Sequence, residues 1–191
     1  MRLHSLPTAL ALAGFLLLSA GFAVPDHAVS CEAKLQHIRQ NAVTAQPDPK
    51  PTVLTEDEIN DYIAAGKVQL PKGVESVRFN GAPGEVTAYA KVDFDKLTEG
   101  KSMNPLMAAL FTGVHHIVTV ADARGAGGVG EIHVQSVTLD GTTIPRAALE
   151  FLIEHFVRPK YPGAGLDSRF RLGYRIDTAE VGTHKLTIRQ K

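Results

Sequence analysis

Between Arg124 and Ser136 the chain reads RGAGGVGEIHVQS, and Gly125-Ala126-Gly127-Gly128-Val129-Gly130 matches the GxGxxG spacing of a dinucleotide-binding loop. That chemistry needs a strand before the glycines and a helix directly after them, because the pyrophosphate rests on the free amides of the helix N-terminus. Here the residues that follow, Glu131 to Leu139, are strand-like and end at Asp140-Gly141. The glycines are therefore expected to form a turn between two antiparallel strands, where they permit positive φ. His115, His116, His133 and His155 are the candidate metal ligands. Neighbouring strand residues point to opposite faces, so only one of His115 and His116 could share an ion with His133 across a hairpin. There is no HExxH and no GxSxG, and Cys31, the single cysteine, has no base that the sequence positions beside it. Asp93 and Asp95 would share one face of a strand as a carboxylate pair, but that face also carries Lys91 and Thr87 and reads as the solvated one. Arg169, Arg171 and Arg175 fall on one face of another expected strand, placed either to meet an anionic headgroup or to hydrate the sheet.

The ends and the composition bound what these residues can do. Arg2 and His4 precede an apolar run from Ala9 to Val24, with Gly21 and Ala23 at the −3 and −1 positions of a cut after Ala23. This is the pattern of a secretory signal peptide, which places the protein in the periplasm or outside the cell. A membrane anchor through the uncleaved N-terminus, or through acylation of Cys31, is the alternative. The 20 Lys and Arg residues balance the 20 Asp and Glu residues, which speaks against nucleic acid as a partner. Trp is absent and aromatics make up 6%, so an aromatic stacking platform is poorly supported. One cysteine excludes an intramolecular disulfide framework, and no cofactor is expected.

Stepping along the chain, residues 1–23 are the signal peptide, 24–53 an N-terminal segment with a short helix over Ser30 to Gln40 and a proline-rich linker (PDPKP), and 54–191 a single domain. That domain opens on a helix from about Glu56 to Ala65, announced by a capping box of Thr55 and Glu58 and a staple of Leu54 on Ile59. Strands are expected over Val74 to Asn80 and Glu85 to Phe94, then Val114 to Ala123 and Glu131 to Leu139, then Arg169 to Ala179 and His184 to Arg189. The alternation slips in the fourth, which a bulge near Gln135 or Ser136, or burial of both faces, would explain. A helix from Pro145 to Val157 carries an apolar stripe. Three hairpins interleaved with helices predict an α+β fold, a curved antiparallel sheet of about six strands with helices on one face.

The segment Leu54-Thr55-Glu56-Asp57-Glu58-Ile59-Asn60-Asp61-Tyr62-Ile63 and the strand from Val86 to Leu97 resemble exported bacterial proteins in which a T-E-x-E-I-N-x-Y helix precedes an antiparallel sheet. More distantly the pattern over residues 54–190 is similar to periplasmic half-barrel proteins related to the tubular lipid-binding superfamily. That resemblance implies a curved sheet wrapping a helix with lipid on the concave side; it transfers no binding residues, and this chain offers a shorter groove. The expectation is a non-enzymatic exported protein that binds lipid or another hydrophobic small molecule in an apolar groove. Leu149, Leu152, Ile153 and Phe156 would line it, Met103, Leu106, Met107 and Phe111 would stand at its mouth, and Arg171 and Arg175 would contact a headgroup. Ordinary core packing accounts for the same apolar residues. Two other functions stay open: an envelope protein–protein interaction module, also able to meet a membrane surface, and a metal-dependent hydrolase using His116 and His133.

Overall fold

A computed structural model of the chain describes residues 26–99, 112–159, 162–163 and 165–191. Its elements are α1 (His27–Val43), β1 (Thr52–Thr55), α2 (Glu56–Ala64), β2 (Val74–Ala82), β3 (Glu85–Asp93), α3 (Phe94–Thr98), β4 (Val114–Ala126), β5 (Val129–Leu139), β6 (Thr142–Thr143), α4 (Arg146–Leu152), a π-helical turn (Ile153–Val157), β7 (Asp167–Arg171), β8 (Ile176–Gly182) and β9 (Lys185–Gln190). The fold is α+β with antiparallel pairing throughout, and the sheet has nine strands rather than about six. The main path runs β1-β9-β8-β4-β3-β2, with β5 beside β4 and in turn bordered by β6 and β7.

The long hairpin β4–β5 is the spine. Its tip is the glycine loop: Gly127 and Gly128 both hold positive φ, 59° and 79°, which suits a two-residue hairpin connection. The outer pair, Gly125 and Gly130, face each other across the ladder for a different reason. A Cβ on Gly130 would come 2.7 Å from the Phe170 ring, and one on Gly125 would come 2.9 Å from Leu172 and Ala179, so the missing side chains make room for the segment that crosses them. Gln135 is the extra residue of a bulge, since Val120 pairs with Ser136 and Ala121 with Val134. Along its far edge β4 pairs with β3 up to Asp122 and then with β8 at Arg124 and Gly125. The tip of hairpin β2–β3 is thereby pressed against β8, with Gly84 N–H donating to Val181 O at 2.9 Å.

Residues 26–53 do more than link. Asp26 caps α1, which runs seventeen residues, and β1 joins the sheet on β9. Cys31 and Ile38 of α1 share a core with Leu54 of β1 and Ile188 of β9, against which Ile59 and Tyr62 of α2 pack. Cys31 is the fifth residue of that helix and 2% exposed, a position where an acyl chain would have to displace the core. Two polar groups hold this arrangement. Asn41 accepts from Asp48 N–H at 2.7 Å and donates to Asp48 O and to Gln190 Oε1, folding the proline-rich turn back onto the helix. Glu58 completes the expected capping box with Thr55 and also accepts from Ser30 Oγ at 2.5 Å and Lys34 Nζ at 2.6 and 2.7 Å. Burial works to raise its pKa, but these hydrogen bonds and the Lys34 charge outweigh it and lower it from 4.5 to about 2.

A second core gathers Val92, Phe94, Ala90, Ile117 and Leu139 with Leu152 of α4. Two expected strands end early. The strand drawn to Phe94 stops at Asp93, whose carboxylate accepts from Lys96 N–H at 3.1 Å and caps α3. The strand drawn from Arg169 to Ala179 is broken after Arg171, where Tyr174 and Arg175 take positive φ of 54° and 56° and turn the chain from β5's edge to β9's.

Candidate functional site

Where the β2–β3 tip meets the β8–β9 hairpin, the first turns of α2 lie across both and leave a cavity of about 200 Å³. Its walls are Ile59 of α2, Phe79 and Gly81 of β2, Val86 of β3, and Val181 and Leu186 of β8 and β9, with Glu56 and Lys185 the charged members. The surface open to the cavity is apolar. Gly81 is required here by backbone approach: a Cβ would come 2.9 Å from Gly182 O. Asn60, 4% exposed, fixes α2 on the sheet by accepting from Phe79 N–H and donating to Phe79 O, both at 2.8 Å, which satisfies the free edge of β2. Glu56 is occupied as well. It accepts from Gly81 N–H at 3.0 Å, from Asn80 Nδ2 at 3.2 Å and from His184 Nδ1 at 2.8 Å. Partial burial would raise its pKa, yet those donors hold it below the ordinary value. Lys185 has no ion-pair partner among the described residues.

A larger cavity, about 310 Å³, lies beside α4 and has another character. Arg146, Glu150, Glu154, Arg158 and Asp167 line it together with Ile153, Gly165 and Leu166. Arg146 bridges Glu150 at 3.1 Å and Asp167 at 2.5 Å, His133 bonds the other oxygen of Asp167, and Arg158 pairs with Glu154. The bond from His133, followed by that from Arg146, lowers the Asp167 pKa. Of the helix residues expected to wall an apolar groove, Leu152 packs into the second core, Ile153 lines this charged cavity and Leu149 is half-buried. The Phe156 side chain and the whole of Met103, Leu106, Met107 and Phe111 lie outside the described residues. Arg171 ends β7 with an exposed side chain, whereas Arg175 stands in the turn between β7 and β8 and donates to Thr44 O at 3.3 Å, so the two do not share a strand face.

The histidines also separate. His133 is opposite Asp122 on the β4–β5 ladder, six residues from His116, or roughly 20 Å at strand rise, too far for one metal ion. Among the described residues no three His, Cys, Asp or Glu side chains come together as a metal site. His116 instead faces Lys91, and its backbone N–H donates to Asp140. His115 has two acceptors, Asp140 Oδ2 at 2.6 Å from Nδ1 and Thr112 O at 2.8 Å from Nε2, so only the doubly protonated ring satisfies both. The bond to Asp140, then that to Thr112, raises its pKa. Asp93 caps α3 and Asp95 belongs to that helix's first turn, which dissolves the carboxylate pair.

Compared with family models, curated proteins and solved structures, the chain has no match. The residues of the α2 cavity were not singled out by the sequence. They come from five elements, and the readable signals were indirect: the capping box that starts α2 beneath Leu54, and the alternation that turns Val86 inward.

Proposed function

We propose that the protein is an exported, non-enzymatic binder of a hydrophobic small molecule, held between the sheet and α2. The observation that carries this reading is the apolar cavity beneath α2, bordered by Lys185, which has no ion-pair partner among the described residues. The ladder registers support a curved sheet with its helices on one face. Val86, Ala88 and Ala90 pair with Ala121, Thr119 and Ile117, and Leu54 and Ile188 continue the same side under α1 and α2. A cut after Ala23 would leave α1 intact. At about 200 Å³ the cavity is smaller than the roughly 300 Å³ at which drug-sized sites begin, so the occupant is small, or is one end of a longer chain.

Organic extraction of purified protein followed by mass spectrometry tests the reading. A stoichiometric apolar compound is the expected result. Protein that is empty, and that takes up neither labelled phospholipid nor short-chain amphiphiles, overturns it. A second reading, an envelope interaction module, is favoured by the exposure of Tyr89, Phe170 and Tyr174, which are 50%, 47% and 58% open to solvent. Mass in solution that rises with concentration, in protein with no extractable ligand, would select it.

A further inference from the structure

Resting on the hydrophobic-ligand reading, we infer that the α2 cavity takes a small carboxylic acid, its apolar body among Phe79, Val86, Val181 and Leu186 and its carboxylate on Lys185. Size sets the first limit. A cavity of about 150 Å³ lined by Leu, Ile and Phe holds benzene, and this one is about 200 Å³, the scale of a single ring or a short acyl chain. Wall chemistry sets the second, since no polar surface opens inside and the body of the ligand is hydrocarbon.

The charges decide the head. Two ionic side chains border the cavity, and they are not equivalent. Glu56 already receives three donors, two of them on Oε2, and its ionised form is held by the Gly81 amide and His184. An amine arriving there would share the carboxylate with three donors already in place and would meet the Lys185 ammonium as well. Lys185 has no ion-pair partner among the described residues. Its stem lies across the hairpin turn at Gly182, where an added Cβ would come 3.3 Å from Lys185 Cε, so the glycine leaves the space in which the lysine lies beside the cavity. An acid group at the mouth gains a charge-assisted hydrogen bond that an alcohol of the same length lacks, and supplies Lys185 with the ion-pair partner it does not have among the described residues.

Three six-carbon probes, hexanoate, 1-hexanol and hexylamine, separate the possibilities when titrated into the full chain by calorimetry, with methyl resonances of Ile59, Val86, Val181 and Leu186 reporting the location. Hexanoate is expected to bind about tenfold more tightly than 1-hexanol, with hexylamine weakest. Lys185→Met should remove the advantage of hexanoate and leave 1-hexanol unchanged, Lys185→Arg should restore most of it, and Val181→Phe should abolish binding of all three. Equal binding of hexanoate and 1-hexanol, unaltered in Lys185→Met, overturns the carboxylate assignment and leaves the cavity reading standing. Preference for hexylamine overturns it in favour of Glu56. No binding of any probe overturns both.

Discussion

Helix α1 puts Cys31, Ile38 and Asn41 out of solvent, whereas α4 has no fully buried residue, although α4 carries the more regular apolar stripe. The difference lies in what each helix meets. Opposite α1 stand β1, β9 and α2, and the contact is closed by polar groups whose partners are fixed, Glu58 with Lys34 and Ser30, Asn41 with Asp48 and Gln190. Around α4 the partners are Leu152's neighbours on the sheet and a ring of exposed ion pairs, and the chain runs on into a π-helical turn. Apolar periodicity describes what a helix offers. Burial depends on what the rest of the chain brings to it, and a satisfied buried polar network sets a packing arrangement as firmly as a row of leucines does.

Truncation puts the largest strain on that comparison. Leu54→Ala, 4% exposed in the α1 core, should cost about 4 kcal/mol in urea unfolding, against about 2 kcal/mol for the half-buried Leu152→Ala. Equal losses would mean that the two helices are held alike. Glu58→Gln comes next. The folded carboxylate titrates near 2 against 4.5 for the free group, so its stabilisation is complete above about pH 4.5 and is lost as the pH falls toward 2. That difference is worth on the order of 3 kcal/mol at neutral pH. The variant should be weaker at pH 7 and show a flatter stability profile between pH 5 and 2, followed by acid titration of the circular dichroism signal. Asn60→Ala leaves the amide and carbonyl of Phe79 without partners and should cost about 2 kcal/mol, with faster hydrogen exchange confined to β2.

Smaller effects belong to the exposed pairs. His115 has a raised pKa, so its bonds to Asp140 and Thr112 stabilise the fold below about pH 6.5 and fade as the pH rises through the folded value. His115→Gln should remove that slope at a cost of about 1 kcal/mol in acid and less in base, read from thermal unfolding across pH 5 to 8. Arg146→Ala on α4 should have the smallest effect of the series in urea unfolding, and the loss should shrink in high salt.

What could be read in the residues was local. Thr55 and Glu58 announce α2 because a capping box closes within one turn, Gly127 and Gly128 announce a hairpin because few other residues accept positive φ twice running, and the slip of alternation at Gln135 marks a bulge because strand faces have period two. The break at Tyr174 and Arg175 carried no such mark, since neither residue favours the left-handed region and the neighbouring contact, Leu172 over Gly125 and Gly130, joins residues far apart in the chain. The depth of α1 was hidden for a related reason: its partner Ile188 lies at the other end of the chain. The cavity was least legible, being a space between residues of five elements rather than a property of any segment.

The position of β9 between β1 and β8 also governs timing. Leu54 and Ile38 can meet Ile59 and Tyr62 of α2 early, but their contact with the sheet waits for Ile188, and the bond from Asn41 to Gln190 waits with it. A chain emerging from its N-terminus can pair α1 with α2 and form the β2–β3 and β4–β5 hairpins early, while β1 has no strand to pair with until β9 arrives. The junction between the α1 core and the sheet is therefore the last to close, a seam that follows the hairpins it joins rather than preceding them.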